Sequence, residues 1–187
     1  MVMSRLGDYF QKKGQQFKDR AKPLREKTDE PSVAEVLRLD GLSYPEFLNA
    51  AMVFSKLLTR FPDDPLAGLA GIRAGQNFMR ALQYEKSINV FQDVIENEEF
   101  EGGKIRAQAM FWGAYSRELY PTSKEDYRTR GKMIREAYQM YRRITFDFPD
   151  SIWAKRARGR LADPVFERII EVENLARQRL LEAMKYR

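Results

Sequence analysis

The sequence predicts an all-α fold made of stacked antiparallel helical hairpins. Apolar residues recur at spacings of three and four along nearly the whole chain, which is the period of a helix with one buried face. Clusters of proline, glycine, aspartate and serine interrupt that pattern, and similar helical segments occur more than once. Because the interruptions are short, consecutive helices are expected to lie antiparallel, and the predicted unit is the helical hairpin.

Composition restricts the chemistry available to the chain. Its 187 residues, 43% of them hydrophobic and 12% aromatic, suffice for one globular unit with a packed core. The absence of cysteine and histidine excludes thiol nucleophiles, imidazole bases, disulfides and the usual zinc sites. No distinctive spacing stands out among the 27 acidic residues. We therefore expect no enzyme activity, metal site or cofactor.

Residues 1–30 form a basic amphipathic segment, predicted to be distinct from a main domain of residues 31–187. A helical stripe of apolar residues runs through this segment and ends near Pro23, beside several lysines and arginines. Such a helix can dock on the rest of the fold, on a partner or, through residues 5–27, on a membrane surface. Docking on the fold is the favoured alternative. The stripe consists of Leu6, Phe10, Phe17, Ala21 and Leu24.

Segments rich in turn-forming residues separate the following helices, which have predicted lengths of about 12 to 22 residues. Two helices that precede such breaks are alike, since in each a small residue stands one turn before an aromatic residue and Phe-Pro-Asp follows. These copies are residues 50–65 and 136–151, and a third copy, residues 84–95, lacks the proline. The breaks are 61–65 (FPDDP), 96–103 (ENEEFEGG), 120–126 (YPTSKED), 148–151 (FPDS) and 162–164 (ADP).

Small residues in GLAGIRAGQNFMRAL, residues 68–82, predict a close helix crossing. Gly71, Ala74, Gly75 and Phe78 lie on one helical stripe. Glycine inside a helix costs about 1 kcal/mol relative to alanine, so two glycines on one stripe indicate a steric need. The residues predicted to cover the stripe from the partner helix are Phe91, Val94 and Ile95.

These motifs resemble the tetratricopeptide repeat family, over about residues 45–162. The first helix of a repeat in that family carries a small residue and a glycine at the crossing point and then an aromatic residue, as Ala74, Gly75 and Phe78 do here. The Phe-Pro-Asp endings and the insertion at residues 120–133 are similar to the bacterial envelope branch, the outer-membrane β-barrel assembly lipoproteins and Tol-Pal coordinator proteins. A less complete match consists of Ala109, Trp112 and Gly113.

The resemblance implies a concave groove lined by the first helices, in which an extended or acidic segment of a partner protein lies. Arg73, Gln76 and Arg80 share a stripe apart from the small residues and are predicted to face outward into this groove. Arg117 is the nearest equivalent on the next first helix. The resemblance also implies a periplasmic or membrane-associated location if a signal segment preceded Met1, whereas a native Met1 predicts a cytoplasmic protein.

Residues 152–187 are predicted to form a capping hairpin at the end of the array. Its second helix is long, with Asp163 as the N-cap and Pro164 in the first turn. The buried face of its first helix is predicted to contain Trp153, Ala157 and Leu161. The apolar stripe of the long helix consists of Val165, Ile169, Val172, Ala176, Leu180 and Met184.

Charge is distributed unevenly along the chain. Residues 31–100 carry 6 basic and 10 acidic side chains, whereas residues 101–187 carry 19 basic and 12 acidic ones. This excess of positive charge predicts attraction to an acidic protein, anionic lipid or RNA, although a solvated helix surface has the same composition. The densest basic cluster is Lys155, Arg156, Arg158 and Arg160.

The function predicted from these features is that of a non-catalytic scaffold or adaptor subunit of a larger, cell-envelope assembly. Its partners are expected to be proteins rather than nucleic acids. The alternative is an electrostatic binder of anionic membranes or RNA that uses the basic C-terminal half. Salt distinguishes the two, because binding through many phosphates weakens steeply as ionic strength rises.

Overall fold

The structure, a computed structural model, describes residues 2–100, 103–122, 126–171 and 175. These residues form helices joined by short turns and contain no β-strand, which confirms the predicted all-α fold. The helices are α1 (Val2–Ala21), α2 (Glu30–Arg60), α3 (Ala67–Arg80), α4 (Tyr84–Glu96), α5 (Lys104–Glu118), α6 (Tyr127–Asp147) and α7 (Ile152–Leu161). Within the described residues, no helix combines the length and apolar character needed to cross a membrane.

Each helix packs chiefly against its neighbours in the chain. The pairs α1–α2, α3–α4 and α5–α6 form hairpins, and consecutive hairpins contact each other. In addition, α3 packs on α5 and α5 packs on α7, so the odd-numbered helices from α3 onward are neighbours. One continuous apolar core extends from the end of α2 to Phe166, and a smaller apolar cluster lies between α2 and α3.

The N-terminal segment docks on α2, which is the favoured one of the three predicted alternatives. Gly7 and Gly14 of α1 are buried against aromatic rings of α2. A Cβ atom at Gly7 would lie 2.7 Å from Cζ of Phe54, and one at Gly14 would lie 3.0 Å from the ring of Phe47. The two glycines therefore allow the helices to approach closely. Membrane contact through residues 5–27 stays a prediction.

Helix α2 is longer than the predicted range, with 31 residues. Its N-terminus is capped by Asp29, whose side chain accepts a hydrogen bond of 3.0 Å from the Ser32 N–H. The helix continues through Pro45, although a proline removes one backbone hydrogen bond. Leu39 and Phe47 are both buried, so the same packed face extends on either side of the proline and stabilises the helix there.

The predicted crossing of α3 and α4 is confirmed. A Cβ atom at Gly75 would lie 2.5 Å from Cζ of Phe91, and one at Gly71 would overlap the side chain of Val94. The hydroxyl of Ser87, which is buried on α4, donates a hydrogen bond of 2.9 Å to the carbonyl oxygen of Gly75. A larger side chain at either glycine would have to move the two helices apart.

The two Phe-Pro-Asp breaks have the same backbone geometry. Phe61 ends α2 with φ −135° and ψ 58°, and Phe148 ends α6 with φ −134° and ψ 53°. Each phenylalanine N–H donates to the carbonyl of the residue one turn earlier, Leu57 or Ile144, at 3.1 Å. The sequence similarity between residues 50–65 and 136–151 is therefore a structural similarity at these helix ends.

The beginning of the capping segment differs in part from the prediction. Asp163 does cap the next turn, because its carboxylate accepts a hydrogen bond of 3.1 Å from the Val165 N–H. That turn is a 3₁₀-helix, Pro164–Phe166, and its tighter winding buries Phe166 completely while Val165 is 38% exposed. The rest of the predicted stripe that follows residue 171 lies outside the described residues. The predicted insertion at residues 120–133 is also shorter, since α6 begins at Tyr127.

Candidate functional site

The predicted groove residues of α3 lie along its contact with the first hairpin. Arg73 Nη1 donates to Asp8 Oδ1 of α1 at 2.5 Å, and its guanidinium lies over the ring of Phe54, 5.5 Å from the centroid. Arg80 lies over the ring of Phe47 at the same distance, and desolvation there lowers the pKa of the guanidinium. Gln76 is half-buried. The three side chains therefore share a region, but α1 and α2 already contact two of them.

Arg117 does not face outward, and the expectation that it joins this stripe is wrong. The residue is only 9% exposed. Its guanidinium donates to the carbonyl oxygen of Gly113 at 3.1 Å and to Glu136 on α6 at 3.0 Å. A residue one turn from Gly113 is drawn towards α6 because the glycine brings the two helices together. Arg117 consequently joins α5 to α6, with little of its side chain exposed.

A cleft of about 270 Å³ lies where α1, the end of α2 and the beginning of α3 meet. Its floor is apolar, and its rim carries the carboxylates of Asp8 and Asp64 and the guanidinium of Arg73. Three apolar side chains at the cleft are exposed to solvent, namely Phe61 at 51%, Leu66 at 62% and Leu69 at 37%. The other lining residues are Ser4, Phe54, Leu57, Ala67 and Ala70.

The local sequence explains why this cleft is lined by apolar groups. The Phe-Pro-Asp break turns the chain sharply after α2, and Asp64 accepts a hydrogen bond of 2.8 Å from the Leu66 N–H. Alanines then occupy the inward positions of α3, since Ala67 and Ala70 are buried. Side chains this small leave space above them. A partner's apolar side chain can occupy that space, with polar groups of the rim beside it.

An equivalent junction between α5, α6 and α7 is closed. Arg160 follows its Phe-Pro-Asp break at the same sequence distance as Arg73 follows the first one, and Tyr141 precedes its break as Phe54 does. Arg160 is ion-paired with Glu118, whose carboxylate also accepts a hydrogen bond from the Tyr141 hydroxyl. The cleft, together with Asp8, Phe54 and Arg73, is called the open seam. The closed seam is Glu118, Tyr141 and Arg160.

Burial distinguishes the electrostatics of the closed seam from those of the open one. Glu118 is 8% exposed and Tyr141 is fully buried. Burial, followed by the hydrogen bond to Glu118, raises the pKa of the Tyr141 hydroxyl well above its usual value. The hydrogen bond to Glu118 likewise raises the pKa of Arg160. The phenol therefore stays protonated and the guanidinium charged at neutral pH, which satisfies the buried carboxylate.

The four residues of the predicted basic cluster on α7 make different contacts, although Lys155, Arg156 and Arg158 are all exposed. Arg160 points towards Glu118, and Arg158 donates a hydrogen bond of 2.9 Å to the carbonyl oxygen of Pro149. The guanidinium of Arg156 stacks over Trp153, 4.7 Å from the ring centroid. Lys155 is exposed. The cluster is therefore divided between structural contacts and solvent, and its predicted role in binding an anionic partner stays untested.

Sequence reasoning missed both the cleft and the buried carboxylate of Glu118. The equal placement of Arg73 and Arg160 after the two Phe-Pro-Asp breaks was a signal that both arginines contact the preceding hairpin. It does not indicate which of the two contacts is buried. Among the described residues, no group of three or more acidic side chains is arranged to hold a metal ion.

The comparisons with known proteins supply no evidence about function. No protein-family model, curated protein or solved structure matches this chain.

Proposed function

We propose that this chain is a non-catalytic protein-interaction scaffold whose partner binds in the cleft of the open seam. The observation that carries the proposal is the cleft itself, a concave site with an apolar floor and exposed Phe61, Leu66 and Leu69. Contiguous exposed apolar groups with a polar rim are typical of interaction sites. Arg73 and Asp8 supply a polar pair beside the floor and add orientation to the apolar contact.

A tetratricopeptide-like architecture and a place in a cell-envelope assembly belong to the same proposal. They are supported by the repeated Phe-Pro-Asp breaks, which share one backbone geometry, and by the close α3–α4 crossing at Gly71 and Gly75. Hairpins in series bury their faces against one another, and a cleft at a junction between them can bind a partner without any catalytic group.

Site-specific photo-crosslinking tests the proposal in the native host. A benzophenone amino acid is introduced at Leu69, at the cleft, and as a control at Leu37, an exposed leucine of α2 that does not line the cleft. We expect a discrete protein adduct from position 69 and none of the same mass from position 37. Equal adduct patterns at the two positions, or no adduct at position 69, would contradict the proposal.

The captured protein is then purified and its affinity for the scaffold is measured by calorimetry. Leu69→Lys places a charge at an exposed apolar position of the cleft, and we expect it to raise Kd at least about tenfold, which corresponds to about 1.4 kcal/mol. Leu37→Lys is the matched control and should leave Kd unchanged. Only a modest salt dependence is expected, whereas an electrostatic binder of phosphates would show a steep one.

A further inference from the structure

The end of α6 carries an apolar side chain that the repeat itself does not require. Phe146 is 86% exposed, more than any other large apolar residue in the described part of the chain. The corresponding position before the first Phe-Pro-Asp break is occupied by Thr59, which is also exposed. Since a threonine serves the same position in the first copy, packing within the fold does not explain the phenylalanine.

A second exposed apolar residue follows at the same junction. Ile152 begins α7 and is 60% exposed. We call Phe146 and Ile152 the apolar tip. Helix α7 carries four basic residues and no acidic one, and Lys155, one turn after Ile152, is exposed. Asp147 and Asp150 lie between the two residues of the apolar tip, and three exposed basic side chains of α7 follow them, namely Lys155, Arg156 and Arg158.

We propose that the apolar tip of one copy of this chain binds in the cleft of the open seam of a second copy. This inference rests on the proposed function, because it assigns a partner to the same cleft. The cleft offers an apolar floor and about 270 Å³ of space, and a buried phenylalanine removes about 150–250 Å² of surface from water. The tip supplies a phenylalanine that has no place within its own copy.

Charge complementarity supports a second copy as the occupant. Two of the three charged residues that line the cleft are acidic, namely Asp8, which is paired with Arg73, and Asp64. The exposed charged side chains that follow the tip on α7 are all basic. Attraction between the tip and the cleft favours this contact over contacts between two clefts or two tips.

The contact joins different surfaces of the two copies, so it leaves one cleft and one tip free at the ends of every open assembly. Such a heterologous interface extends into rings or open filaments instead of stopping at a dimer. This geometry predicts what happens when two different variants are mixed. Two variants, each defective on one side, should complement each other only as far as a dimer.

Sedimentation velocity on the full chain at low and moderate salt tests this prediction. Phe146→Thr installs the residue found at the equivalent position 59, and Leu69→Lys alters the cleft; both positions are exposed. We expect the wild-type mass to increase with concentration and each variant alone to remain monomeric. An equimolar mixture of the variants should give dimers and no larger species. Thr59→Ser is a control that should assemble as the wild type does.

A wild type that is monomeric at every concentration, variants that still assemble alone, or a mixture that stays monomeric would overturn the inference. Crosslinking from position 69 separates this failure from failure of the proposed function. An adduct with a different protein and a monomeric wild type would leave the proposed function standing and exclude self-association. An adduct with the mass of two copies, abolished by Phe146→Thr, is the supporting result.

Discussion

In the open and closed seams, the arginine at the same repeat position contacts carboxylates of very different burial. In the first, Arg73 forms an ion pair with Asp8, and both side chains remain more than one-third exposed. In the second, Arg160 reaches a carboxylate, Glu118, that is almost fully buried and also bonded to Tyr141. The two arginine side chains are similarly exposed, at 37% and 33%, so the difference lies in the carboxylate partner, whose side chain is 51% exposed for Asp8 and 6% exposed for Glu118.

The residue five positions after the phenylalanine of each Phe-Pro-Asp break accounts for part of this difference. Trp153 fills the closed seam, with its ring centroid 5.4 Å from that of Phe111 and 6.3 Å from that of Trp112. Leu66 occupies the equivalent position in the open seam and remains exposed. A large aromatic residue seals the junction, whereas a leucine leaves a cleft. The C-terminal junction is therefore filled by an aromatic side chain, and the N-terminal one retains an open cleft.

The largest expected effect is a loss of stability on truncation of Trp153, the residue that fills the closed seam. Trp153→Ala should lower the free energy of unfolding by about 3–5 kcal/mol, because truncating a buried aromatic side chain leaves a cavity. Leu66→Ala at the equivalent position should change it by about 0.5 kcal/mol or less, since the side chain is exposed. Urea unfolding followed by far-UV circular dichroism measures both. Equal losses for the two variants would show that both seams are structural.

The two carboxylates provide the next test. Glu118→Ala should cost about 3 kcal/mol, because it leaves the buried Tyr141 hydroxyl without its acceptor and the Arg160 guanidinium with Asp163 as its remaining carboxylate partner. Asp8→Ala removes an exposed ion pair and should cost about 1 kcal/mol or less. The midpoints of urea unfolding at neutral pH compare the two directly. A loss from Asp8→Ala as large as that from Glu118→Ala would contradict the assignment of the open seam.

A smaller effect is expected at the helix crossings of the two hairpins. Gly75→Ala should destabilise the protein by about 1–3 kcal/mol, since its Cβ would overlap the Phe91 ring and force the helices to shift. Gly113→Ala should cost less, because its Cβ would lie 3.2 Å from the flexible end of Met140 and 3.3 Å from Cβ of Phe91, compared with 2.5 Å from Phe91 Cζ at Gly75. Thermal unfolding of both variants gives the comparison. The reverse order would mean that the α5–α6 crossing is the tighter one.

The smallest effect concerns pH and the phenol that only the closed seam contains. Its raised pKa means that above about pH 10 the unfolded state loses the Tyr141 proton while the folded state keeps it. Wild-type stability should therefore fall relative to that of Tyr141→Phe by about 1.4 kcal/mol for each pH unit above 10. Urea unfolding at neutral and alkaline pH measures the difference. Parallel stability curves for the two proteins would argue against a buried phenol.

Several features of the fold follow from the sequence alone because they depend on neighbouring residues. The helical period, the Phe-Pro-Asp breaks and the Asp163 cap arise from local backbone chemistry. The crossing at Gly71 and Gly75 was also readable, since its partner helix is the next one in the chain. For the same reason the small residues on α3 and the aromatic residue on α4 could be matched before the structure was known.

Only the tertiary structure decided the rest, because burial depends on elements that are distant in sequence. Arg73 and Arg160 stand at equivalent positions, yet Asp8 and Glu118 lie on different preceding helices and at different depths. Arg117 was predicted to face a groove and is buried, since its surroundings are set by α6. The helical pattern specifies which side chains share a face. The helix that packs against this face determines whether its side chains are buried, and therefore how much they stabilise the fold.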